Sequence, residues 1–164
     1  GHSCVHNIAY WTGVEYLGIG RSAASMITPA TFQLASALFP GAKVSPDAAR
    51  IRLVQTDDSA ASFDVEELSA RETMAEDLML ACRMTRGISL GLLHKASSLF
   101  GEEVVTDACA RAVDLGLATW KASDGENTLE GSDGEDEPLC GALAPTQRGW
   151  LEGNELFGLF WNLA

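Results

Sequence analysis

From about residue 69 onward, apolar positions recur at helical spacing. In "SARETMAEDLMLACRMTRG" Met74, Leu78, Ala81 and Cys82 form one stripe. Ser69 stands as N-cap with Glu72 three residues on, a capping box, and Gly87 sits where a left-handed C′ residue would close the helix. "SLGLLHKASSLFG" predicts a second helix, capped near Ser89 and closed by Gly101. "EEVVTDACARAVDLG" predicts a third, with acids in its first turn, a stripe of Val105, Ala108, Cys109 and Ala112, and a terminating Gly116. "LATWKAS" alternates as a strand and "PLCGALAPT" returns as its partner. In the closing "QRGWLEGNELFGLFWNL", Trp150, Asn154, Phe157 and Trp161 fall at helical spacing, with Leu151, Leu156 and Phe160 widening the apolar face. Three helices, a hairpin and a closing helix predict a winged-helix-like domain over residues 69–164, its wing at 121–138.

The first 68 residues pattern less clearly. Residues 1–27 read as two extended pieces, "HNIAYW" and "VEYLGIG", around a "TG" turn, with Tyr16, Leu17 and Ile19 favouring a strand. Residues 28–68 read as a connecting segment broken by Pro29, Pro40, Gly41 and Pro46, with one short helix near 30–38. The expected fold class is α+β, mainly helical: a terminal strand followed by the winged-helix-like domain.

Composition narrows the class. At 164 residues the chain is about one domain by size and can bury a core. No apolar run approaches the roughly 20 residues of a membrane span and no charged leader precedes an apolar one, so membrane partners are not expected and the chain reads as cytoplasmic. The net charge is −12, and residues 51–164 carry the acidity; between Lys121 and Arg148 lie seven acids and no base. Such a surface repels phosphate backbones, and the third helix offers only Arg111, so the winged-helix pattern is not expected to bring nucleic-acid binding with it. The acidic stretch lacks the spacing of a calcium loop and reads as a solvated, mobile wing.

Four cysteines stand at 4, 82, 109 and 140, too scattered for any C-x-x-C cluster. Cys82 and Cys109 read as buried core thiols. His2, Cys4 and His6 alternate, so on a strand they would share a face, but three ligands without a fourth or a supporting shell make a poor metal site, and none is expected. Gly18 and Gly20 lack the third glycine of a dinucleotide turn, where Ala23 stands. His94, beside Leu92, Leu93 and Lys95, reads as a surface residue, since no nucleophile accompanies it by motif.

The opening stretch carries more. "C-x-H-N-x-x-Y-W-x-x-x-E-Y-L-G-I-G", here Cys4, His6, Asn7, Tyr10, Trp11, Glu15, Tyr16, Leu17, Gly18, Ile19 and Gly20, closely resembles the end of the radical-SAM barrel in the oxygen-independent coproporphyrinogen III oxidase family and its haem-chaperone relatives. "AEDLMLACRMTRGISL", from Ala75 to Leu90, resembles the family's E-x-L-M-L-G-L-R-x-x-x-G-V helix, with Arg83 and Gly87 in register. "LAPTQRGWLEGNELFGLF", from Leu143 to Phe160, is similar to its closing L-T-x-x-G-x-L-x-x-N segment at Thr146, Gly149, Leu151 and Asn154. Residues 28–68 match poorly.

The resemblance implies a carboxy-terminal part of a longer parent: residues 1–27 the end of the barrel, 28–68 a connection and 69–164 the terminal domain. Its partners would be the N-terminal radical-SAM barrel of the same parent chain and, in the parent, a porphyrinogen or haem. The parent's cofactors would be a 4Fe-4S cluster and S-adenosylmethionine. The family's C-x-x-x-C-x-x-C loop is absent here, so the chain itself is expected to bind no cofactor, to hold no catalytic residue and to be no enzyme. "GRSAASMI", from Gly20 to Ile27, is close to the G-V-S-A-x-S-M-I form of some family oxidases, which makes Ala24 a candidate S-adenosylmethionine neighbour in the parent. Two classes follow: a domain covering the barrel mouth of an oxidase, or an interaction and haem-binding module of a haem chaperone. Propionates would want cations, and Arg21, Arg83, Arg86 and Arg111 are those at hand. Without barrel neighbours the strand at "YLGIG" is expected to pair in a homodimer or to fold back.

Overall fold

The computed structural model describes residues 4–57, 61–122 and 141–164, and the chain divides into two compact units, Gly1–Met74 and Ala75–Ala164. The first unit opens with a helix, α1 (Val5–Trp11), where an extended piece was expected. Local chemistry explains the difference. Gly13, at φ 74°, takes the C′ position; its N–H donates to Tyr10 O and the N–H of Val14 donates to Ala9 O, a Schellman closure. The "TG" is thus a helix stop rather than a turn between strands.

Downstream, Tyr16 exchanges both backbone hydrogen bonds with Met26 at 2.9 Å but belongs to no longer strand. The sheet proper consists of β1 (Ala24–Ile27), β2 (Arg50–Gln55) and β3 (Phe63–Leu68), antiparallel in the order β1-β2-β3. Two of these strands lie in the segment expected to be connection. The reason is visible in β2: Ile51, Leu53 and Gln55 are buried while Arg50, Arg52 and Val54 are half-buried, a period-2 pattern in which arginines occupy the other face. Arg52 forms an ion pair across the strands with Glu66. Between β1 and β2 come α2 (Pro29–Leu34), with Thr28 as N-cap and Pro29 at its first position, and a 3₁₀ turn at Ser36–Leu38, in agreement with the helix expected near 30–38. Ile27, Ile51, Leu53 and Phe39 form the core of this unit, with Phe32, Phe63 and Val65 packed on it; the Phe39 ring lies 5.9 Å from Phe32 and 5.4 Å from Phe63. Sealing such side chains from water stabilises by about 1.5–3 kcal/mol each.

The helical expectations downstream hold closely. The Ser69 hydroxyl accepts from the Glu72 N–H at 3.2 Å and the Glu72 carboxylate accepts from the Ser69 N–H at 2.8 Å, opening α3 (Ala70–Ala81). Its buried positions are Ala75, Glu76, Leu78 and Ala81, followed by Cys82; Met74 is only half-buried. Gly87 does adopt a left-handed φ of 75°, but six residues beyond the helix end, leading into β4 (Ile88–Ser89).

Ser89 caps α4 (Leu90–Phe100), which ends at Gly101, and α5 (Glu102–Asp114) buries the expected Val105, Ala108, Cys109 and Ala112. Gly116, at φ 68°, ends it with a second Schellman closure: its N–H donates to Val113 O and that of Leu117 to Ala112 O. The hairpin is β5 (Ala118–Lys121) and β6 (Ala142–Pro145), antiparallel, in a second sheet of order β4-β6-β5. The acidic wing, beyond residue 122, lies outside the described residues.

The closing helix is two helices, α6 (Gln147–Leu151) and α7 (Gly153–Trp161), broken at Glu152. Leu156 and Phe160 are its sealed residues, whereas Trp150, Leu151 and Trp161 are exposed. The aromatic stripe therefore points largely to solvent. A break between the two helices shifts the helical phase, so residues on either side of Glu152 do not continue one face.

Candidate functional site

Ala24, the candidate cofactor neighbour, opens β1 and is half-buried. It is flanked on both sides by chain: Val54 pairs with it across β2, and the Gly18 backbone lies against its carbonyl so closely that a Cβ at Gly18 would overlap it. Gly18 is thus a close-approach glycine rather than part of a phosphate turn, and a strand follows it instead of a helix. The loop between is held by the Ser22 N–H donating to Gln55 O at 2.8 Å, with Ser22 at φ 62° and Gly20 at φ 103°. Arg21 is exposed on it.

Glu15, also within the motif, is structural in this unit. Its carboxylate accepts from the Thr28 N–H and, at 2.8 Å, from the Thr31 hydroxyl, so it caps the start of α2 from outside the helix. Those bonds, led by Thr28, hold its pKa below the usual carboxylate value. His6, Tyr10 and Tyr16 form an edge-to-face series, with ring centroids 4.8 Å and 4.4 Å apart.

The alternation at Cys4 and His6 loses its meaning once residues 5–11 are helical, because neighbours two apart on a helix point to different sides. Cys4 precedes the helix and is exposed, His6 packs on Tyr10, and His2 lies outside the described residues. Among the described residues no three or more His, Cys, Asp or Glu are grouped as a metal would need. Cys82 and Cys109 are buried core thiols; burial pushes them up to about 12 and about 11. A 4Fe-4S cluster needs closely spaced thiolates, and these residues do not fit one. Cys140 lies outside the described residues.

The four arginines weighed for propionate binding do not form a described cluster. Arg21 belongs to the first unit. In the second, Arg83 stacks over the Phe157 ring at 4.7 Å, Arg86 is exposed in the turn after α3, and Arg111 is exposed in the last turn of α5. His94 is exposed on α4.

A concavity of about 370 Å³ lies at the corner of α6 and α7, lined by Trp150, Leu151, Glu152, Gly153, Asn154, Glu155 and Phe157. Arg148 braces its rim, donating from Nε and Nη2 to the two Glu152 carboxylate oxygens at 3.0 and 3.1 Å. The sequence signal for this corner was present, since Trp150, Asn154 and Phe157 share helical spacing; what it left open was whether that face looked inward.

The stretches that carry the resemblance in the second unit meet in space. Ile88 pairs with Leu143, the Gly87 backbone abuts Leu143 and Ala144, and Arg83 stacks on Phe157. The Thr146 hydroxyl donates to Gly116 O at 2.7 Å and accepts from the Gly149 N–H at 3.0 Å, while Gly149 packs on the Leu117 carbonyl. No helix among the described residues is long and apolar enough to cross a membrane. Family models, curated proteins and solved structures yield no match to the chain.

Proposed function

We propose that the chain is the carboxy-terminal, non-catalytic domain of an oxygen-independent coproporphyrinogen III oxidase-like radical-SAM protein of tetrapyrrole biosynthesis, covering the barrel mouth and helping to shape the substrate site. On this reading residues 69–164 are a winged helix, residues 1–27 are the end of the barrel, and Ala24 is a neighbour of S-adenosylmethionine bound by the parent. The observation that carries the proposal is the meeting of the two resembling stretches. Arg83, Gly87 and Ile88 of one meet Phe157, Leu143 and Ala144 of the other, more than fifty residues away in sequence, while the matched Thr146 and Gly149 pack on Gly116 and Leu117. The element order β4, α4, α5, β5, β6 and the sheet order β4-β6-β5 suit a winged helix.

The same contacts support a structural role. The matched glycines allow close backbone approach and the matched threonine caps a helix, so these residue types serve packing rather than bond making. Radical chemistry would belong to the cysteine loop of the parent.

The test has two arms. The gene region upstream of residue 1 is sequenced and expressed with the domain, reconstituted anaerobically, and assayed for coproporphyrinogen decarboxylation and for haem binding by titration. The expected result is an upstream C-x-x-x-C-x-x-C loop and decarboxylation that is lost when residues 69–164 are deleted. Haem binding without decarboxylation would assign the parent to the chaperone class. The absence of such an upstream loop, or cleavage of S-adenosylmethionine by the 164-residue chain alone, would overturn the proposal.

A further inference from the structure

The backbone beside β1 ends in an open edge. Tyr16 spends both its N–H and its C=O on Met26, and the Gly18 N–H donates to Ser25 Oγ at 3.0 Å. In antiparallel pairing, alternate residues turn their backbone groups to opposite sides, so with 16 and 18 facing β1, residues 15, 17 and 19 face away. The N–H and C=O groups of Glu15, Leu17 and Ile19 have no hydrogen-bond partner among the described residues. Apolar side chains crowd the same edge: Val14 is 53% exposed, Leu17 51% and Ile19 95%. Neither proline nor lysine interrupts the run, and these are the devices by which an edge is usually protected.

We propose that residues 15–19 are a self-complementary edge at which two copies of the chain pair as antiparallel strands about a two-fold axis through Leu17. The free groups themselves name the occupant's chemistry, an extended strand. Their positions favour a second copy in this register. Leu17 meets Leu17 of the other copy and Glu15 meets Ile19, so every outward N–H and C=O finds a partner, about six hydrogen bonds in all. Charge decides between the two edges of the sheet. The outer strand β3 carries Asp64, Glu66 and Glu67, which would face like charges in a copy of a chain of net charge −12. The 15–19 edge holds only Glu15, whose carboxylate is turned to Thr28 and Thr31. The pairing is a property of the 164-residue chain by itself and needs no cofactor; in the parent proposed above, neighbouring barrel strands would take this edge instead.

Cysteine cross-linking reads the register directly. Opposed residues of a hydrogen-bonded antiparallel pair have Cα atoms about 5.5 Å apart, within disulfide reach. In a Cys4→Ser, Cys140→Ser background, Leu17→Cys is expected to give a disulfide-linked dimer under mild oxidation, at least about tenfold faster than Asp64→Cys on β3. Sedimentation of the unmodified chain from about 5 to about 500 μM is expected to show a concentration-dependent dimer. Leu17→Lys with Ile19→Lys is expected to remain monomeric throughout, its circular dichroism unchanged. A chain monomeric at the highest concentration, a dimer that survives the double lysine variant, or cross-linking faster through residue 64 than through residue 17 would each overturn the pairing.

Discussion

Gly149 lies directly against the carbonyl of Leu117, so that a Cβ at position 149 would occupy the space of that oxygen. Thr146 fixes the approach, since its N–H donates to the same Leu117 carbonyl at 2.9 Å and its hydroxyl caps the helix that carries Gly149. Neither group can retreat, because Leu117 is itself sealed at the end of α5 and the start of the hairpin.

Gly149→Ala is therefore expected to destabilise the chain by about 2–3 kcal/mol, the range of an overpacked core. Gly158→Ala is the contrast: the position is helical, its nearest neighbour would be Asn162 Nδ2 at 3.9 Å, and the change is expected to stabilise by about 0.5–1 kcal/mol. Urea midpoints of the two variants, compared with the unsubstituted chain, measure both. Equal midpoints would refute the close-approach role.

Thr146→Val removes the cap of α6 and the donor to Gly116 while keeping the shape. A loss of about 1–2 kcal/mol is expected, with Thr146→Ser retaining most of the stability. A valine variant as stable as the serine variant would show that packing alone holds the segment.

Glu15 links acid sensitivity to α2. Hydrogen bonds from Thr28 and Thr31 lower its folded pKa from 4.5, so its contribution is fully present above the unfolded value and fades as pH falls through the depressed folded one. The carboxylate is exposed and its effect is correspondingly modest. Glu15→Gln is expected to flatten part of the decline in stability below pH 4.5 and to leave the slope near neutrality unchanged. Thermal melts at stepped pH test this; an unaltered acid limb would remove Glu15 from the linkage.

Thiol chemistry separates surface from core. Cys4 is exposed, while the burial that pushes Cys82 to about 12 and Cys109 to about 11 also hides them from reagent. In a Cys140→Ser background, dithiobisnitrobenzoate is expected to titrate Cys4 promptly and the other two only with global unfolding. Fast labelling of Cys82 or Cys109 in the native state would contradict their burial.

Local chemistry made the helices from Ser69 onward legible in the sequence. Ser69 with Glu72, Ser89 with Gly101, and the run from Glu102 to Gly116 each specify a helix from within a few residues, because caps and left-handed stops satisfy backbone groups that lie in the same turn. The same kind of signal stands at Gly13, whose left-handed conformation closes α1, whereas "HNIAYW" with the following "TG" also suits an extended piece before a turn.

Other features rested on partners distant in sequence. Strand β2 carries Arg50 and Arg52 on its second face, and only pairing with β3, which supplies Glu66 opposite Arg52, makes that face compatible with a sheet. In α6 and α7 the spacing showed one wide apolar face and could not say which part of it is buried. Periodicity states which residues share a side; burial is decided by what packs there, and the structure seals Leu156 and Phe160 while leaving Trp150 and Trp161 exposed. The sequence by itself determined the helices whose ends are capped by their own neighbours. Tertiary structure decided the first sheet, the outward aromatic stripe and the close approach of Gly149 to Leu117, because each depends on contacts between residues that chain proximity does not bring together.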